Sequence, residues 1–301
     1  MKHVFIVNPV SGHGNGVKYI PLIDKYFKYN PGDYEIIITE SVGHATEIAG
    51  RYTAEDDVIL YSVGGDGTAK EVLDGLNPGV RFCVVPGGTG NDFFKVVDQR
   101  KLSDEERLTR LIEGEDVKID YGIMNGKSRF MNITSFGLDA DINAYACDYV
   151  KKEMNLPGNL VYAYSALRVG LKPKVIQMEM TVDGVKYNRD IIIVAVSNGR
   201  YYGGCFKPAP KAYLDDGYFD ICLIKGPIKL PRLLQMLVKY INGKHVGEKE
   251  TEIITGRSIQ LKFNRTVNIQ VDGENSKLKE ATFELIPKGL TIRMPKNREI
   301  K

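Results

Sequence analysis

Ser62 to Val72 reads SVGGDGTAKEV and follows directly on an apolar run, DVILY. A strand that ends in three glycines, one carboxylate and one hydroxyl has little to pack and much to offer a ligand. A strand, a glycine turn and a helix N-terminus together form an anion site. Unpaired N–H groups point outward, the helix dipole adds partial positive charge, and missing β-carbons let phosphate oxygens come close. Gly64, Gly65, Gly67 and Thr68 fit that role. A carboxylate repels phosphate, so Asp66 fits only if a divalent cation lies between the two. Gly-Gly-Asp-Gly alone is also an ordinary turn sequence, but two further segments accompany it. Asn8 to Gly14, NPVSGHG, supplies a proline, a hydroxyl and two glycines after the first apolar run. Gly87 to Phe93, GGTGNDF, supplies hydroxyl and amide groups and a carboxylate after another. The P-loop pattern is missing: in YGIMNGKS, Tyr121 stands where the first glycine is required, and the segment reads as a hairpin. No G-x-G-x-x-G opens the first β-α turn either. A nucleotide site here is of neither common kind.

Those segments need elements to hold them. HVFIV, YEIIIT, DVILYSV and RFCVVP are short apolar runs, and helical patterns separate them over Val17 to Lys28, His44 to Tyr52 and Thr68 to Leu76, with another beginning near Asn91. This is β-α-β alternation around a parallel sheet. In such a sheet the loops at the carboxyl ends of the strands share one edge, where ligands bind. Three glycine loops on one edge point to a single site. From about Lys118 the pattern turns to alternating strands, with a type I′ hairpin expected at Asp183-Gly184 and helical insertions near Val161 to Leu171 and Pro231 to Asn242. No linker, internal repeat or low-complexity tract separates the two parts.

Composition sets bounds on partners. The 301 residues carry a net charge of +3, too little to argue for nucleic acid, and are long enough for two domains. Cys83, Cys147, Cys205 and Cys222 are scattered, without C-x-x-C or zinc-like pairing with the four histidines; reduced, buried thiols in a cytosolic protein are expected. The N-terminal MKHVFIVNP reads as a first strand, not a signal peptide. No stretch approaches the roughly 18 apolar residues of a membrane span. A soluble chain is expected, which leaves a membrane-bound substrate open. Oligomeric state is not legible, and a homo-oligomer is allowed.

The combination N-P-x-S-G, G-G-D-G-T and G-G-T-x-N-D, in that order and spacing, resembles the diacylglycerol kinase catalytic-domain family. The likeness is nearest to its bacterial soluble lipid kinase branch, which is related to sphingosine kinases. It runs through nearly the whole chain, with GHATEIA, SNGRYYGGCFKPAPKAYLDDGYFDICLI and VDGEN as later blocks. The resemblance implies an ATP-dependent kinase acting on a lipid hydroxyl such as that of diacylglycerol, to give a lipid phosphate. It implies an NAD kinase/phosphofructokinase-like α/β domain over 1–120, with residues 290–301 as candidates to return to it, and an antiparallel β-sandwich lipid-binding domain over 121–289. Carried over, nucleotide contacts fall on Asn8, Ser11, Gly12, Thr39, Gly64, Gly65, Asp66, Gly67, Thr68, Ala69, Lys70, Glu71, Thr89 and Asn91, with Asp66 serving the Mg²⁺ of ATP. A structural magnesium falls on the Asp216 carboxylate with the Tyr213 and Tyr218 carbonyls, and the catalytic acids on Asp272 and Glu274. The chain departs from the family pattern at Lys70, where asparagine is usual, and at Phe94, where a small residue is usual.

Chemistry gives the D-G-E block a task of its own. Phosphoryl transfer asks the protein mainly to align groups and neutralise charge, and then to accept the hydroxyl proton. Asp272 and Glu274 would point the same way if the chain there were extended; VDGEN is equally a plain hairpin turn. Asp215, Asp216 and Asp220 in LDDGYFD supply hard oxygens suited to Mg²⁺ or simply decorate a turn. His13 and His44 lack a second histidine at ligand spacing and read as exposed loop residues. Lys225, Lys229, Arg232, Lys239, Lys244 and Lys249 face only Glu248 within their segment, around an apolar stripe of Leu230, Leu233, Leu234, Leu237 and Ile241. Such a helix either covers the β domain or lies on an anionic membrane surface. The second arrangement would make the protein cytoplasmic with transient membrane contact. Two other functions remain in view: an NAD kinase-like phosphotransferase, and a catalytically silent regulator that binds lipid or nucleotide.

Overall fold

The computed structural model describes residues 1–146, 161, 164–165, 168–170, 173–203 and 206–298. The chain divides into two compact units, Met1–Tyr121 with Ile286–Lys301, and Gly122–Leu285. The sequence-based boundaries stood at 120/121 and near 290.

In the first unit, β1 (Lys2–Val7), β2 (Asp33–Ile38), β3 (Val58–Gly64) and β4 (Arg81–Pro86) are parallel, in the order β2-β1-β3-β4, with Thr291 and Ile292 of the terminal strand beside Arg81 and Phe82 of β4. Every residue of β3 is buried, as expected of a strand covered on both faces. The helices α1 (Ile20–Tyr29), α2 (His44–Ala49) and α3 (Asp66–Gly75) connect these strands, and α4 (Asp92–Val97) follows β4. Pro21 falls in the first turn of α1, where its missing N–H goes unused. A single 3₁₀ turn over Gly16–Tyr19 occupies the start of the expected helix from Val17. Gly50 closes α2 before Tyr52. One helix of this unit has no counterpart in the sequence reading: α5 (Asp104–Ile112), opened by a capping box in which Ser103 and Glu106 satisfy each other's backbone N–H.

The second unit is antiparallel. Its strands are the end of β5 (Glu115–Met124), β6 (Ser128–Phe130), β7 (Ile133–Gly137), β8 (Ile176–Val182), β9 (Val185–Ser197), β10 (Phe219–Lys225), β11 (Thr251–Gly256), β12 (Ser258–Val271) and the first part of β13 (Glu274–Met294). YGIMNGKS closes the β5–β6 hairpin, and Asp183 and Gly184 both take left-handed φ in the β8–β9 turn. The long strands β9 and β12 both pair with β8 at one end and with β7 at the other, and β9 also pairs with β10 and β12 with β13. Their inner faces enclose a core that includes Phe130, Phe136, Phe263 and Phe283. A second apolar layer lies on the outer face, where Ile193, Cys222 and Ile224 meet α6 (Leu138–Tyr145) and α7 (Leu230–Ile241). The helical insertion expected near Val161 falls mostly outside the described residues, as do Cys147 and Cys205. Cys83 and Cys222 are free and buried.

Candidate active site

The three glycine loops meet. Gly12, at φ +56°, lies so close to the third loop that a Cβ on it would stand 2.4 Å from the Gly87 carbonyl oxygen. Gly87 N–H donates to the Gly64 carbonyl at 2.7 Å. A Cβ on Gly88 would stand 2.3 Å from the Gly65 Cα, so those two bends are in backbone contact. Side chains hold the arrangement from behind. Asn8 Nδ2 donates to Thr68 Oγ1 at 3.0 Å, tying the first loop to α3. Asn91, in left-handed conformation ahead of α4, accepts from Gly88 N–H at 2.9 Å and donates to the Gly88 carbonyl at 2.8 Å.

These bonds divide the expected nucleotide contacts. Ser11, Gly12, Gly64, Gly65, Asp66 and Gly67 lie at the meeting point or at the start of α3, and Thr89 is exposed in the third loop. Asn8, Thr68 and Asn91 act as braces. Ala69 is fully buried and its N–H already donates to the Gly65 carbonyl. Glu71 accepts from Gly43 N–H and so pins the loop before α2. Thr39 is buried at the end of β2, its N–H on the Val7 carbonyl. Lys70 has its ammonium buried and paired with Asp74, one helical turn further from the glycine loops. A helix turns about 100° per residue, so only its first turn can face such an edge. Phe94 is also buried, with the Arg107 guanidinium 5.8 Å from its ring centre.

Asp66 opens α3, and its Oδ1 accepts from Phe93 N–H at 3.2 Å. Burial, and then the negative charge of Asp92, push its carboxyl up to about 6. Asp92 is itself buried and bonded to Lys95 Nζ at 2.9 Å. A Cβ on Gly90 would approach Asp66 Oδ2 at 2.9 Å and Asp92 Oδ2 at 3.7 Å, so both oxygens border one small space. Two like charges crowded with a single lysine fit a hard divalent cation, whose oxygen ligands are of this type. The sequence reading noted the carboxylate of the third loop without giving Asp92 a role. The signal for that role is its proximity to Asp66.

In the second unit, Asp272 and Gly273 form the β12–β13 turn with φ +44° and +97°. The extended chain that would aim Asp272 and Glu274 alike is therefore absent. Asp272 is buried and accepts from Met131 N–H at 3.0 Å and Ile133 N–H at 2.9 Å, whereas Glu274 is exposed. At the LDDG turn, Asp216 Oδ1 accepts from Tyr218 N–H at 3.0 Å, and burial followed by the Asp216 charge pushes Asp220 up to about 6. Among the described residues no three acidic, histidine or cysteine side chains group as metal ligands, so a cation at this turn would rely on carbonyl oxygens. His13 is exposed, and His44 Nδ1 accepts from Glu40 N–H.

Of the two arrangements expected for the basic helix, the structure shows its apolar face packed on the β domain. Arg232 pairs with Glu248 and Glu250, Lys239 with Glu248, Lys249 with Glu250, and Lys225 with Glu252. Two of these acids lie just past the segment counted in the sequence. Leu233, Met236 and Tyr240 of α7 are buried on the sheet, and Leu234 and Val238 are exposed. Between α6, α7 and the sheet is an apolar cavity of about 100 Å³, lined by aliphatic side chains and Tyr240. Among the described residues no helix is long and apolar enough to cross a membrane.

Residues 2–124 match the diacylglycerol kinase catalytic domain family, and residues 132–294 match the YegS C-terminal NAD kinase beta sandwich-like domain family. A diacylglycerol kinase of Bacillus subtilis is 24% identical over 296 residues, covering 97% of this chain and 96% of that protein. One from Staphylococcus aureus strain MRSA252 is 25% identical over 297 residues, covering 96% and 91%. Among solved structures, a diacylglycerol kinase from Bacillus anthracis superposes with a TM-score of 0.71 at 23% identity, covering 98% of this chain and 97% of that one. An NAD kinase from Archaeoglobus fulgidus in complex with ATP shares the fold, with a TM-score of 0.55 at 14% identity over 99% and 95% of the two chains. With its glycine loops in the matched first part and its D-G-E turn in the matched second, the chain belongs to the diacylglycerol kinase catalytic-domain family.

Proposed function

We propose that this chain transfers the terminal phosphoryl group of ATP to a hydroxyl of a lipid, diacylglycerol or a relative of it, with Mg²⁺ serving the nucleotide. The observation that carries the reading is the backbone contact of Gly65 with Gly88 beside Asp66 and Asp92. That edge excludes side chains where a triphosphate must lie and gathers negative charge where its metal must lie. The amides of the first turn of α3 receive phosphate oxygens. Asp66 and Asp92 hold the cation, which when bound offsets the charge of the transferring group. The Asp272-Gly273-Glu274 turn accepts the proton lost by the lipid oxygen as it bonds to phosphorus and ADP departs. A structural magnesium at Asp216, with the Tyr213 and Tyr218 carbonyls, belongs to the same reading, supported by the negative charge that Asp216 and the half-buried Asp220, its pKa pushed up to about 6, gather there.

The aliphatic cavity under α7 favours a lipid acceptor over a dinucleotide, whose ribose and phosphates need polar partners. Peripheral work at a bilayer surface follows from the substrate. The paired state of most basic residues around α7 assigns a smaller part to charge attraction there.

The test is transfer of labelled phosphate from Mg·ATP to a panel of lipids in mixed micelles, with NAD as a further acceptor and products identified by mass spectrometry. A lipid phosphate is expected, and Asp66→Asn should lower its rate at least 100-fold with the thermal midpoint retained. Full activity in Asp66→Asn, phosphorylation of NAD alone, or ATP binding without turnover on any lipid would each overturn the reading.

A further inference from the structure

The outer face of the second unit's sheet carries a line of buried polar groups through an otherwise apolar layer. Gly273 N–H, in the D-G-E turn, donates to Gln270 Oε1 at 2.8 Å. Gln270 Nε2 donates to Ser135 Oγ at 3.0 Å, and Ser135 stands in β7, which runs directly into α6 and so carries the line on to the Asp139 carboxylate. Asp139 also accepts from Ala140 N–H at 2.9 Å and from the Tyr202 hydroxyl at 2.5 Å. The Tyr202 hydroxyl is 3.3 Å from that of Tyr240, and Tyr240 lines the apolar cavity. Each of Gln270, Ser135, Asp139, Tyr202 and Tyr240 is under 10% exposed.

Two features separate this line from ordinary packing. Its bonds have a direction: with Asp139 ionised it is the acceptor at the centre, and the donors on both sides point toward it. The Gly273 and Gln270 amide nitrogens can only donate, so this polarity is fixed and a displaced group must carry its neighbour with it or lose the bond. Its placement also costs desolvation, since apolar side chains of similar size would satisfy the same layer without it. The cavity at one end is of the order that admits a small apolar guest, such as the benzene bound by an engineered cavity of roughly 150 Å³.

We propose that Asp139 and Gln270 are positioning residues which link the cavity under α7 to the Asp272-Gly273-Glu274 turn, so that a hydrocarbon chain seated in the cavity sets the turn for proton acceptance. This rests on the lipid kinase reading and adds a specificity rule to it. A chain that fills the cavity displaces the Tyr240 ring, Tyr202 and Asp139 adjust, and the change arrives at the Gly273 amide. Acceptors with long chains then gain in turnover, beyond what they gain in binding.

Two readouts test the link. The first is the Gly273 amide resonance in ¹⁵N-labelled protein as decanol is added; it needs no catalysis and so survives failure of the kinase reading. Wild type should bind decanol and shift that resonance, and Tyr202→Phe should bind decanol with the shift lost. The second is steady-state transfer to diacylglycerols of two to twelve acyl carbons. Wild type should raise kcat at least fivefold along the series, while Tyr202→Phe and Asp139→Asn should keep the fall in KM and lose the rise in kcat. A role in packing alone predicts equal loss at every chain length. Decanol that fails to bind wild type, binding that leaves Gly273 unmoved, or a Tyr202→Phe protein with the wild-type kcat series would each overturn the proposal.

Discussion

Gly67 stands at the second position of α3, and a methyl group built on it meets nothing within 4 Å. Its backbone is not in the left-handed region, so alanine is conformationally free to replace it. In a helix that exchange stabilises by about 0.4–1 kcal/mol, because the unfolded chain loses freedom and the helix gains a better former. At roughly 2–4 °C per kcal/mol for a chain of this order, Gly67→Ala should raise the thermal midpoint of the nucleotide-free protein by about 1–4 °C. In Mg·ATP the sign should reverse. A methyl at the helix N-terminus keeps phosphate oxygens from the amides, and each such charge-assisted bond contributes about 1.5–3 kcal/mol. The dissociation constant should therefore rise at least about tenfold. Gly88→Ala is the contrast, since its methyl would stand 2.3 Å from the Gly65 Cα and strain the protein with or without ligand. Scanning fluorimetry with and without Mg·ATP, and titration calorimetry, give both numbers. A Gly67→Ala protein that is more stable and binds Mg·ATP as wild type does would refute the reasoning, because the open space would then serve nothing.

Lys70 yields a second contrast. Removing its partner with Asp74→Ala leaves a buried ammonium without this carboxylate and should cost about 2–4 kcal/mol. Lys70→Met should cost less than about 1 kcal/mol and leave ATP binding unchanged, as chemical denaturation and calorimetry would read; loss of nucleotide binding in Lys70→Met would restore the phosphate role. Stability should also depend on pH in a defined sense. Burial raises Asp139 from 3.8 to about 6, so between those values the folded chain holds a proton that the unfolded chain has released. Nucleotide-free stability should fall by ~3 kcal/mol for this group as pH rises through that window, at about 1.4 kcal/mol per unit. Asp66 shares the direction, but a cation requires its ionised form, so Mg·ATP affinity should climb as pH passes about 6. A thermal midpoint that is level across the window would contradict both shifts.

What could be read from the sequence was what repeats locally. The β-α alternation announced the parallel sheet, and each glycine loop stood in its own short segment after its own strand, so the shared edge followed from topology alone. Side chains whose role depends on a distant neighbour could not be read. Asp92 gains its meaning from Asp66, 26 positions earlier. Lys70 lay inside a motif associated with phosphate, and only the phase of α3 turns it toward Asp74. The basic stripe of α7 looked unbalanced because Glu250 and Glu252, which neutralise part of it, follow the helix by about ten residues and return along β11.

The element that organises the second unit's chemistry had no signature at all. Strand β7 is five residues, ITSFG, with no charge and no motif. The amides of Met131 and Ile133, at its start, hold both oxygens of the Asp272 carboxylate, and Ser135 in its middle receives Gln270. At its end Gly137, at φ +96°, packs so closely that a Cβ would stand 2.2 Å from the Ile192 carbonyl oxygen; there the chain turns directly into α6 and delivers Asp139. Left-handed backbone at a non-glycine residue such as Asp272 is unfavourable by about 1–3 kcal/mol. Two charge-assisted amide bonds, at about 1.5–3 kcal/mol each, more than offset it. The turn's conformation is thus imposed from β7, not chosen by Asp-Gly. An acid fixed this way cannot swing to meet a substrate, whereas Glu274, exposed beside it, can, and the two carboxylates of the turn are suited to different tasks: one to define a position and one to move within it.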